Sequence, residues 1–182
     1  MRPMEVRLPD PPLTDGVVTL RRLREDDRAA VLAAMADPLV SRWLNMPAEA
    51  EDHHFDELLR TVDEGWKDGS RCDLVIADVH DRWLGAVIAS KRHRENWELA
   101  YLAPAEGRGH GYVTRAVKLV CNWLFDAGVG RIEIRTHPEN VPSQQVAERC
   151  GFQLEGRERR SITLHGVRRD AILWSLLPDD PQ

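Results

Sequence analysis

The sequence predicts an α/β domain built on a mixed sheet, and three observations carry that reading. Short β-branched runs separated by turn residues fill much of the first half of the chain. Strand, helix, strand, helix and strand patterns then follow one another. One of those helices is strongly amphipathic and stands directly behind a glycine-rich turn. Antiparallel strands first and crossover units afterwards require both kinds of pairing in one sheet.

Residues 1–15 carry Pro3, Pro9, Pro11 and Pro12 and read as an extended lead-in, with residues 16–178 as a single domain. VVTLRRL at 17–23 is a first strand, and Asp26 and Asp27 open a helix through about Ala36, acidic at its positive end. Pro38 and Pro47 bracket a stretch read as loop, with Trp43 inside it. A second helix is expected over about 50–66, closed by Lys67-Asp68-Gly69. Runs at 72–79 and 83–90, split by His80-Asp81-Arg82, read as a hairpin, and a third strand at 97–102 stops at Pro104.

Behind the glycine-rich turn, Ala116, Leu119, Val120, Trp123 and Leu124 form an apolar stripe at helical spacing, opposite Arg115, Lys118, Asn122 and Asp126. Residues 131–136 read as a strand, and Asn140 as the cap of a short helix ending at Cys150-Gly151. Two closing strands, 152–164 and 167–176, flank the hairpin turn His165-Gly166.

Composition narrows the function. Thirty acidic against twenty-five basic side chains, net −5, argue against a non-specific nucleic-acid binder and mildly favour cationic small substrates. Cys72, Cys121 and Cys150 are odd in number and far apart, so neither a disulfide framework nor a zinc site is indicated, and no metal is expected. The N-terminus lacks the apolar core of a signal peptide, and no apolar run reaches the length of a membrane span. The expected location is the cytoplasm.

The chemistry concentrates in Arg108-Gly-His-Gly-Tyr-Val-Thr114, between a strand and a helix. Glycines there bare backbone N–H groups which, with the positive helix end, suit a pyrophosphate. A P-loop would need Gly-Lys-Ser/Thr, which is absent, and a dinucleotide turn from Gly109 would need glycine where Thr114 stands.

From Trp97 to Phe152 this pattern resembles the GNAT superfamily of acetyltransferases, with Arg108-x-x-Gly111-x-Val113 in place of the signature Gln/Arg-x-x-Gly-x-Gly/Ala. Valine at the small last position is a departure. HPENVPSQQVAERCGFQLEG, the opening VVTLRRLREDD and the closing HGVRRDAILWSLLP are similar to the branch that acetylates ribosomal protein N-termini. The resemblance implies a GNAT-like mixed, mostly antiparallel sheet with a central splayed parallel pair and flanking helices. It further implies acetyl-CoA as co-substrate. The pyrophosphate is expected on the amides around Arg108, Gly109, Gly111, Tyr112, Val113 and Thr114, the pantetheine arm beside Asn140 and Ser143, and the oxyanion on the Leu102 N–H.

An amine acceptor is implied: a protein N-terminus, a polyamine or an aminoglycoside-like molecule, with no nucleic acid or membrane and with a homodimer compatible. A non-catalytic acyl-CoA-binding sensor or subunit is the alternative. A lysine-type amine of pKa ~10.4 is neutral about once in 2,500 molecules at pH 7, so a general base has value. The resemblance nominates Glu98, whose neighbours Trp97 and Leu99 would desolvate it; a structural pairing with arginine is the other reading. Glu95 and Glu158 are lesser candidates. Ser143 is read as proton donor to the leaving thiolate, or simply as a first-turn residue capped by Asn140. Trp43, His93 and Trp97 are candidates for the acceptor side, and Cys121 or Cys150 for an acyl-enzyme.

Overall fold

The computed structural model describes residues 9–47, 49–92 and 96–181. Its strands are β1 (Thr19–Arg21), β2 (Arg71–Ala77), β3 (Trp83–Lys91), β4 (Trp97–Leu102), β5 (Ile132–Thr136), β6 (Gln153–Leu164) and β7 (Val167–Leu176). Its helices are α1 (Arg28–Met35), α2 (Pro38–Trp43), α3 (Asp52–Asp68), α4 (Tyr112–Asp126) and α5 (Val141–Arg149). The seven strands form one sheet in the order β1-β2-β3-β4-β5-β7-β6, antiparallel throughout except for β4 beside β5. The mixed, mostly antiparallel sheet is therefore as expected.

The stretch read as loop between Pro38 and Pro47 is instead helical over Pro38–Trp43. Asp37 supplies the start: its Oδ1 accepts from the Leu39 and Val40 amides at 2.8 and 3.3 Å, and Pro38 occupies the first turn, where its missing N–H costs nothing. A 3-10 turn at Glu25–Asp27 precedes α1, so that helix begins two residues later than the acidic pair suggested. Gly69, at φ 70, ends α3 in the left-handed conformation. Within the lead-in, Leu13 packs on the core and its carbonyl accepts from the Leu20 N–H at 2.8 Å.

One face of the sheet packs on α4. Trp97, Leu99, Ile132 and Ile134 meet Ala116, Val117, Val120, Cys121 and Leu124, all buried. Leu119 and Trp123 lie at the edge of this stripe, half-buried; Trp123 stacks at a tilt on Trp66, 6.2 Å between ring centres. Burying a large aliphatic or aromatic side chain contributes about 1.5–3 kcal/mol. That burial holds α4 flat on β4 and β5 and so places its N-terminus over their ends. No described helix is long and apolar enough to cross a membrane.

Candidate functional site

β4 and β5 pair over only three positions: Trp97 with Ile132, Glu98 with Glu133, and Leu99 with Ile134. Beyond them the strands part, and a cavity of about 520 Å³ opens between β4, β5, α2, α5 and the start of α4. The Trp97 N–H points to β5, donating to the Arg131 carbonyl at 3.0 Å. Strand alternation then turns the Leu99 and Tyr101 amides the same way. β4 runs against β3 with unbroken register, Tyr101 opposite Val87 and Leu102 opposite Ala86, which directs the Leu102 amide toward β3. Leu102 lines the cavity, but the amide turned to the open edge is that of Tyr101.

The glycine-rich turn closes one end of the cleft. Gly109 and Gly111 stand at φ +77 and +76, with nothing within 4 Å of the position a Cβ would take. Gly111 is the N-cap of α4 and no side chain caps that helix. The first amides of α4 are thus left for an external anion. Val113 packs against the core cluster, which accounts for valine at the signature's small position. Tyr112 stacks on His110, 5.3 Å between ring centres. Arg108 is held by protein partners: its Nε donates to the Ala103 carbonyl at 3.0 Å and its Nη2 to Asp37 at 2.7 Å.

At the other end, Tyr101 and Ser143 meet across the cleft. The Tyr101 hydroxyl donates to the Ser143 carbonyl at 2.8 Å, and Ser143 Oγ donates to the Tyr101 oxygen at 3.0 Å. Burial raises the Tyr101 pKa and outweighs the opposing Ser143 hydrogen bond, so the phenol stays protonated. Asn140 caps α5, its Oδ1 accepting from the Ser143 amide at 3.3 Å. Sequence reasoning passed over Tyr101. The available signal was slight: the chain has two tyrosines, Tyr101 and Tyr112, and both line this cavity.

Glu98 does not line the cavity. Its carboxylate accepts from Arg135 Nη1 at 2.7 Å and Arg92 Nε at 3.2 Å. Arg135, which does line it, is also held by Glu158 at 2.8 Å and Glu133 at 3.0 Å. Trp97 and Leu99, expected to desolvate Glu98, point to the opposite face of β4, at 0% and 2% exposure. Alternation along the strand separates them from it. Trp97 is therefore a core residue and not part of the acceptor wall. His93 and Glu95 lie outside the described residues.

Trp43 does reach the cavity wall, with His137 5.2 Å away between ring centres. Ile162 and Leu164 of the β6–β7 hairpin complete that side. The hairpin is docked on the end of α2 and the residues after it: His165 Nε2 lies 2.7 Å from the Ser41 carbonyl, the His165 amide donates to Asn45 Oδ1 at 2.7 Å, and Asn45 Nδ2 donates to the Thr163 carbonyl at 2.9 Å. All three cysteines are buried, and burial pushes the Cys150 thiol up to about 12 and that of Cys121 well above its usual value. Neither is a competent acyl-carrying nucleophile, which needs a thiolate. Among the described residues no cluster suited to a metal ion occurs.

Comparison with known proteins bears on the fold and the family. Probable N-acetyltransferase YjcK of Bacillus subtilis (strain 168) is 36% identical over 107 residues, covering 56% of this chain and 59% of that protein. Mycobacterium smegmatis RimJ, solved in complex with CoA-disulfide, superposes with a TM-score of 0.82 at 24% identity, covering 90% of this chain and 83% of that one. The microcin C7 self-immunity acetyltransferase MccE, solved with acetyl-CoA and AMP, gives 0.83 at 22% identity, covering 92% and 99%. At such identities the two structures speak for the fold. The model of the acetyltransferase (GNAT) domain matches residues 18–153, and the chain belongs to that family.

Proposed function

We propose that this protein transfers the acetyl group of acetyl-CoA to an amine by direct attack on the thioester. The observation that carries the reading is the continuous cleft running from the uncapped start of α4 to the Tyr101–Ser143 pair. Its parts fit the co-substrate. The open positions before Gly109 and Gly111, with the amides through Thr114, suit a pyrophosphate. The free edge of β4 suits an extended, amide-bearing arm, and Asn140 and Ser143 flank its far end. RimJ and MccE, similar to this chain in fold, were solved with CoA-disulfide and with acetyl-CoA, which supports the choice of co-substrate.

Acetyl-CoA, when bound, supplies the activated thioester. The chain's residues supply the rest. The Tyr101 amide, aimed at the cleft, is the donor for the thioester oxygen as it gathers charge. Ser143 Oγ and the Tyr101 phenol, already hydrogen-bonded to each other, form a relay that returns a proton to the leaving sulfur. Glu98 reaches the cleft only through Arg135 and acts as a positioning residue for that guanidinium. Arg108 holds the turn to α2 through Asp37, an indirect part in cofactor binding.

The test is free-thiol release from acetyl-CoA with a panel of amines, paired with mass detection of the acetylated product. Turnover with at least one amine is expected. Tight acetyl-CoA binding without turnover on any amine would identify a sensor instead.

A further inference from the structure

The cleft is lined by three arginines, Arg108, Arg135 and Arg149, and by no aspartate or glutamate among the described residues. A polycationic acceptor such as a polyamine would need free carboxylates for its distal charges, and the nearest ones, Asp37, Glu98, Glu133 and Glu158, are already engaged by Arg108 and Arg135. Nor, among the described residues, does a carboxylate line the cleft to deprotonate a strongly basic nitrogen. An amino-terminal amine of pKa ~7.7–8.0 is already roughly a tenth neutral at pH 7 and manages without one.

A second observation lies just outside. Residues 157–169 hold five arginines and one glutamate, against the acidic balance of the whole chain. That glutamate, Glu158, is engaged by Arg135. Arg157 pairs with Asp170 at 2.8 Å, and among the described residues Arg159, Arg160, Arg168 and Arg169 pair with no carboxylate; all four are exposed. A three-residue bulge between Glu158 and Ile162 projects Arg159 and Arg160 from the edge strand. It is pinned by the Arg160 amide donating to Asp170 Oδ1 at 2.9 Å. Arg169 stands directly opposite Ile162, on the same face as the side chains that wall the cavity.

We infer that the acceptor is the amino terminus of a polypeptide whose following residues are acidic, the terminal amine entering the carboxylate-free cleft while the acidic residues lie along the arginines of the β6–β7 hairpin. This deepens the acetyltransferase reading and rests on it. Arg159, Arg160, Arg168 and Arg169 lie together on one narrow hairpin of a net-acidic chain, a footprint for a short acidic peptide and not for a nucleic-acid backbone.

The test uses the intact protein, acetyl-CoA and three hexapeptides with a free N-terminal Ala-Gly followed by four glutamates, four glutamines or four arginines; arginine adds charge without a second acetylatable amine. The glutamate peptide should exceed the glutamine peptide in kcat/KM by about tenfold or more, chiefly through KM. The advantage should vanish in ~0.5 M salt, where exposed charges are screened within a few ångströms. It should also vanish in the exposed double variant Arg159→Glu/Arg169→Glu and shrink in Arg159→Gln/Arg169→Gln, with turnover of glycinamide, a weakly basic amine carrying no other ionisable group, unchanged in both. Equal use of the three peptides, or preference for the arginine peptide, overturns the inference and leaves the acetyltransferase reading intact. So does binding of a single-stranded oligoribonucleotide that depends on the same arginines, with no discrimination among the peptides. Failure of thiol release with every amine overturns both.

Discussion

Asp37 divides its two carboxylate oxygens between two sites: Oδ1 caps α2, and Oδ2 takes Arg108 of the glycine-rich turn at 2.7 Å. The helix that carries Leu39, Val40 and Trp43 into the cleft is thereby tied to the glycine-rich turn that lines the same cleft. Desolvation opposes the charged form, but the two amides and Arg108 outweigh it and keep the Asp37 carboxyl below its ordinary value. Asp37→Ser keeps a capping oxygen and removes the ion pair; Asp37→Ala removes both. Asp37→Ala should lose about 0.5–2 kcal/mol of stability by denaturant titration, and Asp37→Ser clearly less. Both should weaken acetyl-CoA binding severalfold by calorimetry. Unaltered binding in both would mean that the turn holds its shape without α2.

Gly111→Val tests the phosphate cradle. No protein atom meets the added Cβ, so any clash would be with the ligand, while the left-handed backbone costs roughly 1–2 kcal/mol of stability for a non-glycine residue. Acetyl-CoA affinity should fall about tenfold or more with the fold retained. An unchanged dissociation constant would sink this assignment.

The Tyr101–Ser143 pair makes a kinetic prediction. Ser143→Ala and Tyr101→Phe should each lower kcat by ~10²-fold, with little change in acetyl-CoA affinity. Because the two hydroxyls act as one relay, the double variant should be scarcely worse than either single one. Additive losses would show two separate roles, and a lowered Tm with normal turnover would reduce Ser143 to its place in α5.

Glu98→Gln separates a base from a positioning residue. A base would give a defect that shrinks as pH rises toward the amine's own pKa. Held between Arg92 and Arg135, Glu98 should instead give a modest loss of similar size from about pH 6 to about pH 9. A loss confined to the acid side would restore it as the base.

Acid stability carries a further signature in Glu155. The Arg131 guanidinium and then the Ser175 hydroxyl bring its carboxyl down from 4.5 to about 2. A folded-state pKa below the unfolded one adds stability that is complete above pH 4.5 and is lost as pH falls toward about 2. Arg131→Gln should therefore flatten the decline of Tm between those values, modestly, since the Glu155 side chain is 38% exposed and screened by water. The same acid slope in both proteins would remove this pair from the acid response.

Local chemistry made most of the fold legible. The glycines of the turn, the 3.6-residue period of α4, the Asn140 cap and the His165-Gly166 turn each act within a few residues, so the sequence alone determined most of the elements and the glycine-rich turn in front of α4. Even so, Asp37 and Pro38 were a legible helix start that the bracketing prolines masked. The remaining decisions belonged to the tertiary structure, because they depend on which distant strands lie side by side. Tyr101 finds Ser143 across 42 residues, and Glu98 finds Arg135 across 37. Glu98 reads the same in the sequence whether it faces a substrate or an arginine. Only the parallel register of β4 on β5 puts Arg135 beside it, and only the parting of those two strands after Leu99 leaves Tyr101 facing an open cleft.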